Sequence, residues 1–190
     1  MPTLRKKQTA AARSWILEAA FELLTHDSER AFSHENVALR AGIGIRTVYR
    51  YFPTQADLFQ GLWELLRERI AFVFPSRESE IVELSRKVLA CFDRHQKMVR
   101  ATLSSAVGTR IQAHEGGEAQ AAFAKSLVKL LRRRPSPDRK RVVAVFVAVY
   151  SASFWQLLRD RGGLSGPDAQ AAVTWTMKAL LSHLRRGKIV

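Results

Sequence analysis

The segment GIGIRTVYRYF, residues 42–52, carries cationic and hydrogen-bonding side chains on one side of a short predicted helix. At about 100° per residue, Arg46, Tyr49 and Arg50 fall together, whereas the apolar Val48 falls on the opposite side. Guanidinium groups bind phosphates and other acceptors strongly, and a phenolic hydroxyl can join them. The spacing therefore predicts a helix that is anchored through its apolar face and offers these groups outward.

Three residues relate this helix to the one before it. Ala38 is small where two helices cross closely, Gly42 can take the positive φ of a tight turn, and Val48 anchors the second helix. Two helices joined by such a turn form a helix-turn-helix, whose second helix enters the major groove of DNA. The Ala-x3-Gly-x5-Val spacing is a weak signal by itself, so a solvated arginine face on an ordinary helical corner is the alternative.

The elements around this pair are all predicted to be helices, because no stretch alternates convincingly with the period of a strand. Ser33 is the predicted N-cap of the helix at 34–41. Gly- and Pro-bearing segments such as HEGGE (114–118) and RGGLSGPD (161–168) are predicted to separate later helices. The other predicted helices lie at about 9–25, 54–74, 78–94, 96–113, 118–133, 138–160 and 168–186. The predicted fold class is all-α.

The charge of the chain favours anionic partners without choosing among them. Its 190 residues suit one or two small domains, and the formal net charge is +14. Such an excess favours nucleic acid, a membrane surface or acidic ligands. Residues 1–54 hold eight Lys or Arg and five Asp or Glu, and the remainder hold 23 and 12. The excess charge therefore does not single out the helix-turn-helix segment.

The single cysteine, Cys91, excludes an internal disulfide and indicates a reducing compartment. The N-terminal segment resembles a signal peptide superficially, but Glu18 and Glu22 interrupt its apolar run, so we reject that interpretation. The uncharged run at 142–158 reaches the lower length limit of a membrane span. A buried helix is the favoured interpretation, because nearly every face of this run is apolar.

Two segments, ILEAAFELL (16–24) and FSHENVALRAGIGIRTVYRYFPTQADLF (32–59), resemble the N-terminal domain of TetR-type transcriptional regulators. The resemblance covers about the first 60 residues, and its most specific part is TVYRYF at 47–52. It implies a three-helix DNA-binding domain at 1–54 and a helical effector-binding and dimerisation domain at 55–190. It also implies a homodimer that binds a near-palindromic DNA operator and is released by a small molecule.

The resemblance also assigns roles to residues of the recognition helix. It implies that Ile45, Arg46 and Arg50 face bases in the major groove. Thr47 and Tyr49 are then expected to contact the DNA backbone.

Five residues outside that helix are assigned to DNA by the same resemblance. Ser33 caps the second helix close to a phosphate, and Arg5, Lys6 and Lys7 form a flexible basic arm. Gln55 stands where the family commonly has a lysine at the start of the connecting helix. One charged contact is therefore lost there, although an amide contact from the helix N-terminus is still possible.

The C-terminal helices at about 138–160 and 168–186 are expected to form the dimer interface, as the resemblance implies. Bulky side chains on helices expected to line the interior are candidates for contact with a largely apolar effector, and ordinary core packing is the alternative for each of them. These candidates are Trp63, Leu66, Phe92, His95, Met98, Phe123, Phe146, Tyr150 and Phe154.

The loop RRRPSPDRKR (132–141) holds six basic residues and one acid. A solvated linker is the first interpretation, and a patch that attracts an anionic ligand or a membrane surface is the second. The five histidines and Cys91 show no metal-ligand spacing, and no Gly-rich phosphate loop is present. We therefore expect no enzyme, no cofactor and no metal.

The sequence thus predicts a ligand-responsive, DNA-binding repressor that acts in the bacterial cytoplasm at the nucleoid. One alternative is a DNA-binding regulator without a small-molecule effector. Another, from a different class, is a basic helical protein that acts at anionic membranes through the 142–158 run and the charged loop.

Overall fold

The computed structural model describes residues 4–26, 33–69, 73–104 and 106–186, and every regular element in these ranges is a helix. This confirms the predicted all-α fold. A short 3-10 turn, Glu78–Glu80, precedes α5. The helices are α1 (Leu4–His26), α2 (His34–Ala41), α3 (Ile45–Tyr51), α4 (Gln55–Arg69), α5 (Ile81–Arg94), α6 (Gln96–Ser104), α7 (Ala106–Ser126), α8 (Val128–Leu131), α9 (Ser136–Tyr150), α10 (Ala152–Asp160) and α11 (Gly166–Arg185).

Backbone contacts divide the chain into two compact units, residues 1–71 with 97–109 and residues 72–96 with 110–190. In the first unit, α1 packs against α2 and α4, and α2 packs against α3. The predicted division of roles at residue 54 stays a prediction.

The turn between α2 and α3 has the predicted geometry. Ser33 is the N-cap of α2, and its Oγ accepts a hydrogen bond from the Asn36 amide at 3.2 Å. Gly42 ends the helix with φ of +66°, in the left-handed region. The Ile43 amide then donates a hydrogen bond to the Ala38 carbonyl at 3.1 Å. This bond is typical of a helix that ends in a residue with left-handed backbone angles. The predicted cap and the helix bounds at 34–41 are confirmed.

In the second unit, Asp93 joins three helices through polar contacts. Its Oδ1 accepts a hydrogen bond from Trp155 Nε1 of α10 at 3.0 Å, and its Oδ2 accepts one from Gln170 Nε2 of α11 at 3.2 Å. Arg159 of α10 lies close enough for an ion pair, with Nε 3.4 Å from Oδ1. The Trp155 side chain is fully buried. One half-buried carboxylate on α5 thus holds α10 and α11 in place.

Two predicted helix boundaries were wrong, one at the glycines of the HEGGE segment and one at the start of α1. The HEGGE segment does not end a helix, since α7 runs unbroken through 114–118. Each interior glycine costs a helix about 1 kcal/mol, but the buried Ala119 and Phe123 one or two turns later favour continuation. Helix α1 begins at Leu4, about five residues earlier than predicted.

The predicted helix at 138–160 is two helices, α9 and α10, which meet at Ser151 with a bend of 59°. The Ser151 hydroxyl donates to the Ala148 carbonyl at 2.7 Å and accepts from the Phe154 amide at 3.1 Å. These bonds replace helical ones, so the backbone turns. No single helix in the described ranges is long and apolar enough to cross a membrane, and the bent α9–α10 pair meets that criterion only in length and composition.

The predicted helix at 54–74 is shorter, because α4 ends at Arg69. Residues 73–75 are irregular, and the carbonyl of Val73 accepts a hydrogen bond from the Tyr150 hydroxyl at 2.9 Å. Pro75 disfavours a helical Phe74, a signal that was available in the sequence.

Gly42→Ala is expected to destabilise the protein, because a Cβ is strained at φ of +66° even though the space around Gly42 is open. The expected loss is about 1–2 kcal/mol in the free energy of unfolding. Gly44→Ala is the matched control: its surroundings are equally open, but its φ is −66°. Urea denaturation of both variants measures the difference, and equal losses would contradict a strained turn.

Asp93→Ala is expected to lower the free energy of unfolding by about 1–3 kcal/mol, since it removes the acceptor of the buried Trp155 indole N–H. Asp138→Ala is the control. It removes the carboxylate of the exposed Asp138–Arg141 pair (3.0 Å), which is worth about 0–1 kcal/mol. Thermal unfolding followed by circular dichroism compares them. Similar losses for the two would show that Asp93 does not join the helices energetically.

Candidate nucleic-acid interface

Helix α3 has the two faces that its sequence predicts. Val48 is fully buried, and Phe52 directly after the helix is 2% exposed. On the other side Arg46, Tyr49 and Arg50 are exposed, Tyr49 to 43% of its surface. The structure therefore brings the three predicted polar residues together on one accessible face.

His34 of α2 supports α3 through contacts with Phe52 and Tyr49. The sequence analysis did not predict this role. The side chain is buried, and Nε2 lies 2.8 Å from the Phe52 carbonyl oxygen. Because a carbonyl can only accept, the hydrogen must be on Nε2. The imidazole also stacks on the Tyr49 ring, with centroids 4.4 Å apart and planes 7° from parallel. His34 shares the inner face of α2 with Val37, Ala38 and Ala41, and this helical phase was a usable signal.

The Tyr49 hydroxyl has an acidic neighbour. It donates a long hydrogen bond of 3.5 Å to Glu35 Oε1. Hydrogen bonds from its own backbone amide and from the Ser33 hydroxyl hold the pKa of Glu35 below its usual value, so Glu35 is anionic at neutral pH. This negative charge beside the exposed face repels phosphate. A DNA backbone is therefore favoured near the arginines and disfavoured near Glu35.

The start of α4 is capped by its own side chains. The Thr54 amide and hydroxyl both donate to Asp57 Oδ2, at 2.9 and 2.7 Å, and the Asp57 amide donates back to the Thr54 hydroxyl at 3.1 Å. Hydrogen bonds from the Thr54 hydroxyl and amide keep the pKa of Asp57 below its usual value. The cap therefore stabilises the fold at neutral pH and weakens as the pH falls through that lowered pKa.

A second set of contacts supports Phe52 from α1 and α4. The Arg13 guanidinium lies 5.3 Å from the centre of the Phe52 ring and bonds Glu64 at 3.0 Å. A Cβ on Gly61 would lie 2.8 Å from the same ring and 2.9 Å from Leu17. A side chain at position 61 would therefore have to displace Phe52 or Leu17, so the close approach of α4 to the end of α3 favours glycine there.

The other residues that the sequence analysis assigned to DNA differ in exposure. Ile45 and Gln55 are exposed at the starts of α3 and α4, and Thr47 is half-buried. The prediction of a flexible arm was wrong for the backbone at 5–7, because these residues belong to helix α1. The side chains of Arg5, Lys6 and Lys7 lie outside the described residues.

Most of the candidate effector residues are packed in cores. Phe123, Phe146 and Tyr150 form an aromatic cluster with ring centroids 5.3 to 5.9 Å apart. Burial raises the pKa of the Tyr150 hydroxyl far above its usual value. In the second unit Phe92 packs on Trp155, with ring centroids 6.0 Å apart.

The other candidates are divided between the two units. Trp63 and Met98 are buried in the first unit, His95 and Phe154 are half-buried in the second, and the Leu66 side chain lies outside the described residues.

A cavity of about 640 Å³ lies elsewhere in the second unit, open to solvent between α7, α8 and α9. None of the eight candidates whose side chains are described lines it. The sequence analysis placed no effector candidate here, although it offered the segment 132–141 as a patch that attracts an anionic ligand. The lining residues are Gln120, Ala124, Val128, Leu131, Arg132, Arg139, Lys140, Val143 and Ala144.

The described residues hold no group of three His, Cys, Asp or Glu side chains that could bind a metal ion. Cys91 is buried, and burial raises the pKa of its thiol to about 11, so it is a poor nucleophile at neutral pH. The exposed cationic face of α3 is therefore the site with the clearest chemistry.

Comparison with known proteins finds a family model that matches the segment carrying this site. Residues 16–62 match the family model described as bacterial regulatory proteins, tetR family. A comparison with curated protein sequences gave no match.

Solved structures of TetR-type regulators share the fold. A TetR transcriptional regulator from Rhodococcus sp. RHA1 is 23% identical, covering 92% of this chain and 98% of that one, with a TM-score of 0.59. A tetR-family regulator from Streptomyces coelicolor is 19% identical, covering 94% and 84%, with a TM-score of 0.67. NalD, the secondary repressor of the MexAB-OprM multidrug efflux pump in Pseudomonas aeruginosa, is 18% identical, covering 90% and 96%, with a TM-score of 0.64.

The family match covers the helix-turn-helix and its supporting helices, and the structural likeness extends over most of the chain. The family match supports the resemblance to TetR-type regulators over residues 16–62, and the structural likeness shows that the chain has the fold of solved TetR-type regulators.

Proposed function

We propose that this regulator is a homodimeric repressor that binds a near-palindromic operator through α3 and releases it when a small molecule binds the C-terminal domain. The observation that carries the DNA-binding part is the exposed face of Arg46, Tyr49 and Arg50, opposite a fully buried Val48. Cationic side chains on an anchored second helix are what major-groove recognition needs.

The proposed DNA contacts divide into base and backbone contacts. Ile45, Arg46 and Arg50 face bases, where an arginine can bond guanine O6 and N7 together. Thr47 and Tyr49 contact the sugar-phosphate backbone.

Further backbone contacts come from outside α3. Ser33 and Gln55 lie at the N-termini of α2 and α4, where backbone amides favour phosphate. Arg5, Lys6 and Lys7 add basic contacts from the start of α1.

Dimerisation is proposed through α9, α10 and α11. Trp175 on α11 is 72% exposed and Leu157 on α10 is 45% exposed. Large apolar side chains in this state are typical of an interface. A two-fold dimer also places two recognition helices on one face of a duplex, which matches a near-palindromic operator.

The proposal also includes repression and the release of DNA on effector binding. NalD, which shares the fold, is a repressor, and this supports repression here. We propose that effector binding shifts α4, which follows the helix-turn-helix directly in sequence, and so changes the spacing of the recognition helices. A 100-fold loss of operator affinity needs about 2.7 kcal/mol of coupling. Such a regulator acts in the bacterial cytoplasm at the nucleoid and has no catalytic role.

A regulator without an effector is the second candidate. The tight packing of Phe123, Phe146 and Tyr150 favours it, because these rings fill space where an effector was expected.

Arg50→Ala and Tyr49→Phe are expected to weaken operator binding without unfolding the protein. An operator is first selected from a pool of random duplexes. Loss of a bidentate base contact by Arg50→Ala should reduce affinity by about 5–150-fold and relax the preferred base at one position. Tyr49→Phe should weaken binding to all sequences alike, because a phosphate contact carries no sequence information.

Arg161→Ala is the control, since it removes one exposed positive charge from the second unit. Fluorescence anisotropy with the selected duplex, at two salt concentrations, measures all three variants. Wild-type affinity in both α3 variants would contradict the assigned face. The absence of any enriched near-palindrome would contradict the dimeric operator.

A further inference from the structure

The groove between α7, α8 and α9 combines an apolar wall with a cluster of cations. Val128, Leu131 and Val143 supply apolar surface, and Arg132, Arg139 and Lys140 supply positive charge. Among the described residues, no acidic side chain lines the groove. This combination differs from the aromatic cores in the rest of the unit.

The cations of the groove are not neutralised by other described residues. Arg132, Arg139 and Lys140 form no ion pair within the described ranges. The nearby carboxylate of Asp138 is already paired with Arg141 at 3.0 Å. The positive potential of the groove is therefore available to a ligand.

The shape and the charge together select a class of occupant. A volume of about 640 Å³ lies within the usual range of small-molecule sites. A purely apolar occupant would cover the cations without pairing them, which costs free energy. A carboxylate can accept two parallel hydrogen bonds from one guanidinium, and the apolar wall can cover a hydrocarbon body.

Two other occupants fit less well. A second copy seated face to face on this groove would bring its own Arg132, Arg139 and Lys140 close to these, and like charges oppose such a contact. A membrane surface is broad and flat, whereas this site is a concave groove of small-molecule size.

We propose that this groove binds a small amphipathic carboxylate, with its carboxylate at Arg132, Arg139 and Lys140 and its apolar body against Val128, Leu131 and Val143. Binding itself does not depend on the regulatory role. That this molecule is the effector rests on the proposed function. An amphipathic acid then replaces the largely apolar effector that the sequence predicted.

Isothermal titration calorimetry on the full chain tests the binding, with dodecanoate as the probe and dodecan-1-ol as its neutral counterpart, both below the concentrations at which they aggregate. Wild-type protein should bind dodecanoate at least about tenfold more tightly than dodecan-1-ol. Arg139→Gln should weaken dodecanoate binding by about 10–100-fold, as expected for the loss of a charge-assisted hydrogen bond, and should leave dodecan-1-ol binding unchanged.

Arg133→Gln is the matched control, because Arg133 is exposed in the same basic segment but does not line the groove. It should retain wild-type affinity for dodecanoate. Circular dichroism checks that both variants are folded. Equal affinity for acid and alcohol, or equal losses in the two variants, would overturn the proposal.

Operator-binding assays separate two claims, namely that the groove binds the acid and that the acid is the effector. Dodecanoate should weaken wild-type binding to the selected duplex, and Arg139→Gln should need about 10–100-fold more of it. Tight, Arg139-dependent binding of dodecanoate without operator release would support the groove and refute this ligand class as the effector. Operator release that is unaffected by Arg139→Gln would overturn the groove as the effector site. Co-sedimentation with phosphatidylglycerol vesicles, without binding of free dodecanoate, would replace the proposal with a membrane surface.

Discussion

A helix of seven residues cannot persist alone in water, and this constraint governs the helix-turn-helix. Helix α3 makes too few internal hydrogen bonds to offset the cost of nucleation. It is held instead by the burial of Val48 and Phe52, by the bond between His34 and the Phe52 carbonyl, and by the left-handed turn at Gly42. The outward face can therefore be largely polar, because most of the contacts that hold the helix are made by its buried side and its ends.

The same anchoring links residues of the proposed DNA-binding face to the core. Tyr49 stacks on the buried His34 ring, so its ring is oriented before DNA arrives, and its hydroxyl must give up the long bond to Glu35 to donate to a phosphate. Phe52 is contacted by Arg13 and closely approached at Gly61, which joins the end of α3 to α1 and α4. Preorganised groups lose less entropy on binding. The recognition face is thus a product of contacts made behind it.

In the second unit, polar groups are used in two different ways. Asp93 is half-buried and bonded to Trp155 and Gln170, with Arg159 as its ion-pair partner, so its charge holds helices together. The cations of the groove have no such partners among the described residues. Charge that is satisfied within the fold stabilises structure, whereas charge left open beside apolar surface is available for recognition.

The sequence by itself determined the helical class, the bounds and cap of α2, the turn at Gly42 and the two faces of α3. These features depend on local rules, namely helical period, capping and the backbone freedom of glycine. The tertiary structure alone decided that α7 continues through two glycines, that the chain bends at Ser151, and that His34 supports Tyr49. It also placed the aromatic effector candidates in packed cores and the cavity beside Arg132 and Arg139. Whether a bulky side chain fills a core or lines a cavity depends on which distant residues pack around it, and no local pattern encodes that.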